Sequence, residues 1–192
     1  QGPAQIEGLK NPFYSFHNGL RNKSPAGLPK KAALLQELGY DGIEGYGLDE
    51  LPTLAKEIRK QGLKVFTIYF SVNIDDAKKP YDLRIREHLQ TYLKDTGIIL
   101  TVHVHSKKFK NSDPSGDAIA VPILRRLADL AHENGAKVAI YNHVGFWAET
   151  LDDGIRLPNP VSPHLAAKMA QKTMTLTPTE TKVAVAGSDL SM

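Results

Sequence analysis

Four helix-like segments of this chain each stop at a glycine, and an apolar, strand-like run begins within one or two residues of it. The junction glycines are Gly39, Gly62, Gly97 and Gly135. Glycine adopts the left-handed conformation at the end of a helix with little steric cost, so the chain can turn sharply into a sheet. Parallel strands need crossover connections, so the repeat predicts an α/β protein with a mainly parallel sheet. In such folds the chemistry lies at the carboxyl ends of the strands.

The repeat predicts five strands and four helices before residue 142. The strands are expected at 13–16, 40–44, 64–70, 98–104 and 137–141, and the helices at 29–38, 50–61, 81–94 and 118–134. Past residue 150 the pattern changes to a tail rich in Pro and Thr, with a helix expected at 164–172 and a strand at 182–186. The predicted organisation is an N-terminal extension over 1–10, a barrel-like unit over 11–150 and an atypical tail over 151–192.

Composition narrows the function classes. The 192 residues are 41% hydrophobic and include 24 Lys and Arg against 21 Asp and Glu, with the basic pairs scattered, so no nucleic-acid partner is expected. No apolar run approaches the roughly 20 residues that span a bilayer. The absence of cysteine excludes disulfides, thiolate metal sites and a cysteine nucleophile. The chain opens at Gln1 without methionine, which suggests a processed N-terminus and leaves export to the periplasm or medium open beside a cytoplasmic location.

Polar side chains follow the predicted strands and should converge on one mouth of a barrel. They are His17, Asn18, Glu44, Tyr69, Asn73, His103, His105, Asn142, His143, Trp147 and Glu149. Imidazoles and carboxylates gathered in this way can bind a divalent metal or move protons.

Each of these residues also has a structural interpretation. A single histidine at a strand end is more often a hydrogen-bonding rim residue than a ligand, whereas His103 and His105 are two positions apart and project to one face. Glu44 ends an apolar strand, where an uncompensated carboxylate is costly, so a functional role or an ion pair is expected. Trp147 and Phe146 suit either the core or the wall of a sugar site. The Lys107–Lys110 run suits either a phosphate site or a solvated loop.

Three segments, in order and with their junctions in register, resemble the xylose isomerase-like barrel superfamily in its sugar phosphate isomerase/epimerase branch. They are KAALLQELGYDGIE at 31–44, GLKVFTIY at 62–69 and LADLAHENGAKVAIYNH at 127–143. The resemblance covers about residues 10–150. It implies a (β/α)8 TIM-barrel fold, of which this chain carries a partial barrel of about five parallel strands. It also implies a divalent metal, Mn, Mg, Co or Zn, that polarises a keto sugar or sugar phosphate while carboxylates move a proton at the adjacent carbon.

The resemblance assigns roles to the strand-end residues. It implies catalytic roles for Glu44, His143 and Glu149, and metal binding by His143 and Glu149. The expected substrate-binding residues are His17, Asn18, Tyr69, His103, His105, Asn142 and Trp147. Family members take most metal ligands from later strands, so a truncated barrel with little turnover is expected.

Two other function classes stay open from the sequence. One is a metal-dependent phosphodiesterase similar to endonuclease IV, which shares the barrel. The other is a non-catalytic carbohydrate-binding remnant. Because an open five-stranded sheet has two exposed edges, we expect either a partner subunit, as in a homo-oligomer, or a covering tail to protect them.

Overall fold

The computed structural model describes residues 11–17 and 27–157. Within them, five strands form one parallel sheet whose spatial order follows the chain from β1 to β5 without reversal. The strands are β1 Tyr14–Ser15, β2 Gly42–Tyr46, β3 Lys64–Asn73, β4 Ile99–His105 and β5 Lys137–Ile140, and the helices are α1 Leu28–Glu37, α2 Leu51–Lys60, α3 Ile85–Thr91, α4 Asp117–Glu133 and α5 Leu151–Arg156. The predicted partial (β/α) barrel is confirmed.

The junction glycines behave as the repeat predicts. Gly39, Gly62, Gly97 and Gly135 have φ values of 78°, 72°, 71° and 68°. At Gly135 a side chain would also collide with the backbone, because an added Cβ would lie 2.9 Å from the Cα atom of Asp95. Glycine is therefore required at this junction for conformation and for space.

The core lies between the sheet and its helices. On β3 and β4 alternate residues are fully or nearly fully buried, among them Ile68, Val72 and Val102. They pack in one cluster with helix residues such as Leu89 and Leu127. Since strand residues alternate between faces, the remaining residues of these strands lie on the face away from the helices, which we call the inner face. They include Thr67, Tyr69, Thr101, His103 and His105.

Helix α3 is shorter than the sequence pattern indicates. A helix was expected over 81–94, but α3 covers only Ile85–Thr91. The Asp82 carboxylate accepts a hydrogen bond from the backbone N–H of Arg84 at 3.0 Å, which forms a local turn in place of a first helical turn. Such side-chain bonds to nearby backbone compete with helix formation, so the predicted boundary was wrong here.

Helix α5 joins the packed unit beyond residue 150. It begins with a capping box in which the side chains of Thr150 and Asp153 bond each other's backbone N–H groups. Leu157, directly after it, is fully buried in the main core cluster. The helix expected at 164–172 and the strand expected at 182–186 lie outside the described residues. None of the described helices has the length and apolar character needed to cross a membrane.

Candidate active site

A continuous row of rings crosses the inner face near the carboxyl ends of the strands. The ring centroids of His17 and Tyr46 are 5.3 Å apart, and those of Tyr46 and Tyr69 are 6.1 Å apart. Tyr69 then contacts Tyr141 at 5.0 Å and His103 at 5.7 Å. We call these five side chains the aromatic row. The aromatic row runs from His17, just after β1, to Tyr141, just after β5. The register of the sheet, which pairs Tyr46 with Tyr69, brings these side chains together.

Three histidines meet beside the aromatic row, around Phe146. The Phe146 ring centroid lies 4.2 Å from that of His105, 4.8 Å from that of His143 and 5.3 Å from that of His103. We call His103, His105 and His143 the histidine cluster. The structure thus brings together three of the predicted site histidines, two from β4 and one from the turn after β5.

His103 is neutral at physiological pH. Burial, together with repulsion from the nearby His105 and His143, lowers its pKa to about 4. Burial also lowers the pKa of His105. The Nδ1 atom of His103 is buried and has no hydrogen-bond partner among the described residues. An unsatisfied buried polar atom is costly, and at a site it is a natural contact for a ligand hydroxyl.

Glu44 supplies a buried carboxylate to the same face. Glu44 is only 5% exposed to solvent. Burial raises its pKa, while hydrogen bonds from the His17 backbone N–H at 3.4 Å and from Thr67 Oγ1 at 3.3 Å act against that shift. The neighbouring Tyr69 has a pKa raised by burial, by Tyr141 and by the charge of Glu44, so its phenol stays protonated. A basic carboxylate and a phenol donor therefore share the inner face, where the charge of Glu44 acts on Tyr69.

A β-bulge is the local feature that aims Glu44. Ile43 pairs with Val65, but Glu44 pairs with Thr67, so the register skips Phe66. A bulge places two residues against one and re-aims the side chains that follow. Glu44 is thereby placed opposite Thr67, on the inner face with Tyr69.

The turn after β5 positions His143 and Glu149. The Nδ1 atom of His143 lies 2.7 Å from the carbonyl oxygen of Val144, and Glu149 Oε1 accepts from the Gly145 backbone N–H at 2.7 Å. The Asn142 side-chain amide donates to the Thr150 carbonyl oxygen, which closes the turn. Both Asn142 and Glu149 thus have partners within their own turn.

The described residues do not form a metal centre. No group of three or more His, Asp or Glu side chains within residues 11–17 and 27–157 is arranged to hold an ion. His143 and Glu149 alone are two donors, whereas protein metal sites usually supply three or four. Metal binding by these two residues stays a prediction.

Trp147 lies apart from the predicted site. It is fully buried in the core, its Nε1 atom donates to the Asp113 carbonyl oxygen at 3.1 Å, and Gly116 packs against its ring. Phe146 instead faces the histidine cluster, so of these two aromatics Trp147 belongs to the core, while a sugar-site role for Phe146 stays a prediction. Asn18 lies outside the described residues.

Sequence reasoning did not select Tyr46, Thr67 or Tyr141 for the site. Alternation could have found the two tyrosines, since Tyr46 is two positions after Glu44 and Tyr141 is two before His143. Asn73 was expected at the mouth, and its side chain accepts from the backbone N–H of Asp75 at 3.0 Å.

Comparison with known proteins identifies the fold. No protein family profile matches the chain, and no curated protein sequence is significantly similar to it. Among solved structures, D-psicose 3-epimerase, crystallised in the presence of D-fructose, is similar with a TM-score of 0.50 and 18% identity, over 78% of this chain and 60% of that one. A xylose isomerase-like TIM barrel protein from Mycobacterium smegmatis, in complex with magnesium, has a TM-score of 0.49 and 19% identity, over 78% and 61%.

The chain thus spans about three fifths of the length of these two structures, with 60% and 61% of them covered. At such low identity the likeness concerns the fold alone. The sequential parallel strands, the helices that alternate with them and this likeness agree with the resemblance found in the sequence. In fold, this chain is a partial (β/α) barrel similar to that of D-psicose 3-epimerase.

Proposed function

We propose that this chain binds a small ketose on its inner face and that Glu44 transfers a proton at the carbon beside the carbonyl. The observation that carries the proposal is the placement of a buried carboxylate, a protonated phenol and neutral imidazoles on one aromatic surface at the carboxyl ends of parallel strands. Ligand sites of α/β barrels occur at this end of the sheet.

The aromatic row suits the binding of a sugar. Tyrosine and histidine rings present an apolar body that packs against C–H groups and a polar tip that bonds hydroxyls. The unsatisfied Nδ1 atom of His103 adds one more contact of this kind. Inner-face residues Tyr69 and Tyr141 would form the floor and His105 with Phe146 the wall.

The chemistry follows from the two raised pKa values. The Glu44 carboxylate is a stronger base than an exposed glutamate because its pKa is raised by burial. It removes the proton beside the carbonyl, the C–H electrons form the enediolate double bond, and the carbonyl oxygen gains the negative charge. Tyr69, held protonated, donates a hydrogen bond to that oxygen. Return of the proton from Glu44 to the former carbonyl carbon, together with transfer of the neighbouring hydroxyl proton to the enediolate oxygen, completes an isomerisation. An epimerisation needs a second proton donor on the opposite face of the enediolate.

The structural neighbour guides the choice of test sugars. D-psicose 3-epimerase is by name an epimerase of a ketose, and its crystals were prepared with D-fructose. Both sugars should therefore be incubated with the purified chain in deuterium oxide and followed by proton NMR. The proposal expects loss of the signal of the proton next to the carbonyl, and no loss with Glu44→Gln.

The matched control is Glu133→Gln, which changes an exposed glutamate at the end of α4. Binding is read separately, from shifts of the Tyr69 and His103 NMR signals. The proposal fails if neither sugar shifts these signals, or if exchange persists unchanged in Glu44→Gln.

A second candidate is carbohydrate binding without turnover. It is favoured by the aromatic row and by the unsatisfied Nδ1 atom of His103, which suit the binding of a sugar whether or not a proton is moved. In that case the sugars shift the inner-face signals equally in the wild type and in Glu44→Gln, with no deuterium exchange. Repeating the exchange assay with added Mn²⁺, and again with His143→Gln, tests the predicted ion binding. The predicted homo-oligomer is checked by sedimentation.

A further inference from the structure

A pair of cavities lies away from the aromatic row, at the amino ends of β3 and β4. Two adjoining cavities of about 560 and 350 Å³ share the residues Ala55, Arg59 and Tyr92. They are bounded by one side of α2, by the first residues of β3 and by the segment that leads from α3 into β4. We call this system the basic groove, and it is lined in part by Ala55, Lys56, Arg59, Lys60, Lys64 and Tyr92.

Positive charge is concentrated along the groove. Lys56, Arg59 and Lys60 occupy positions i, i+3 and i+4, so they share one side of α2. Like charges at these spacings repel each other and weaken a helix. One pairing offsets this, since Lys60 Nζ lies 2.7 Å from Glu57 Oε1. Asp95 is the one acidic residue among the described residues that line the two cavities.

The floor of the groove is apolar. Ala55 and Leu63 are 7% and 8% exposed, and the Tyr92 ring is half-buried beside them. The Arg59 guanidinium is held across this floor, because its Nη2 atom donates to the Tyr92 carbonyl oxygen at 3.3 Å. This bond uses one of five N–H donors of the guanidinium and fixes its position without neutralising its charge.

From this arrangement we propose that the basic groove binds a small organic anion, a phosphate or carboxylate carried on an aromatic or aliphatic body. The anionic head would contact Lys56 and Arg59, and the body would lie on Ala55 and Tyr92. The larger cavity, at about 560 Å³, has the size of sites that take small molecules, which range from about 300 to 1,000 Å³. The proposal is independent of the sugar site, which lies at the other ends of the strands.

The test is an NMR titration of the nitrogen-15-labelled full chain with naphthyl phosphate. Saturable shifts are expected at the amides of residues 55–60 and 92–96, and not at His103 or His143. Naphthol, which has no charge, and inorganic phosphate, which has no apolar body, are each expected to bind at least about tenfold more weakly, since each lacks one half of the interaction.

Three variants assign the binding to the groove. Arg59→Gln and Lys56→Gln should each raise the Kd of naphthyl phosphate about tenfold, as loss of one charge-assisted hydrogen bond does. Arg126→Gln, which changes an exposed arginine of α4, should leave it unchanged. If Arg59→Gln does not give a native spectrum, Lys56→Gln decides the question alone.

Four results would overturn the proposal. They are the absence of saturable shifts with naphthyl phosphate, equal binding of naphthol or of inorganic phosphate, shifts centred on the histidine cluster, and equal affinities in Lys56→Gln and Arg126→Gln.

Discussion

Replacing Glu44 by glutamine should make this protein more stable near neutral pH. Glu44 is 5% exposed, and its two hydrogen-bond contacts, at 3.4 and 3.3 Å, are long. These long hydrogen bonds offset little of the hydration free energy that the Glu44 carboxylate loses on burial. Glutamine keeps the shape, and its amide can accept from the His17 backbone N–H and donate to Thr67 Oγ1. A poorly compensated buried group costs about 1–3 kcal/mol, so Glu44→Gln should raise the free energy of unfolding by about 1 kcal/mol.

The gain should depend on pH in a defined direction. Burial raises the pKa of Glu44 above its ordinary 4.5, so the folded state holds the proton more tightly than the unfolded state. The stability from this residue is fully present below the unfolded pKa and is lost as pH rises through the folded pKa. Glutamine does not titrate. Its advantage over glutamate should therefore vanish in acid below pH 4.5 and reach its full size above the folded pKa.

The measurement is urea unfolding followed by the fluorescence of Trp147, the single tryptophan, which is fully buried. A gain of about 1 kcal/mol corresponds to about 2–4 °C in Tm for a chain of this size. Glu133→Gln, at an exposed position, should change neither the size nor the pH dependence of the stability. The reasoning is refuted if Glu44→Gln unfolds at lower urea than the wild type near neutral pH, or if its effect is the same at all pH values.

Three further predictions concern Asp153, His103 and Gly42. Burial acts to raise the pKa of Asp153, but hydrogen bonds from Ser112, Thr150 and Glu149 lower it, so its stabilisation is present above pH 3.8 and lost as pH falls through the folded pKa. Asp153→Asn should cost about 3 kcal/mol in urea unfolding near neutral pH, and an equal stability would contradict this. His103 should titrate near its pKa of about 4 in proton NMR. Because that pKa is lower in the folded state, the free energy of unfolding should fall as the pH drops from 6.5 toward 4. A titration midpoint near 6.5 would show that the ring is solvated. Gly42→Ala places a Cβ 1.9 Å from the Lys64 carbonyl oxygen and should lower the free energy of unfolding by about 3 kcal/mol. In the control Gly45→Ala, the nearest atom to the added Cβ lies at 3.3 Å, so the loss should be smaller when both variants are compared by thermal melting.

The sequence alone determined the repeat and hence the fold class. Junction glycines such as Gly62 and Gly135 mark helix ends because the left-handed conformation is a local property of the residue. The direction of each βα unit then places strand-end residues at one edge, which is why His103, His105 and His143 could be predicted to meet. Boundaries were less predictable, since the side-chain bond of Asp82 that delays α3 competes locally with the helical pattern.

Tertiary structure decided which side chains face the site. The register shift between Ile43 and Glu44 depends on how two strands pair, and it sets Glu44 opposite Thr67 on the face that carries Tyr69. Trp147 and Phe146 are adjacent and equally apolar, yet the tryptophan fills the core against Gly116 and the phenylalanine faces the histidines. A sequence pattern fixes the period of a strand or helix, but the side that is buried depends on the volume and the partners that the rest of the fold provides.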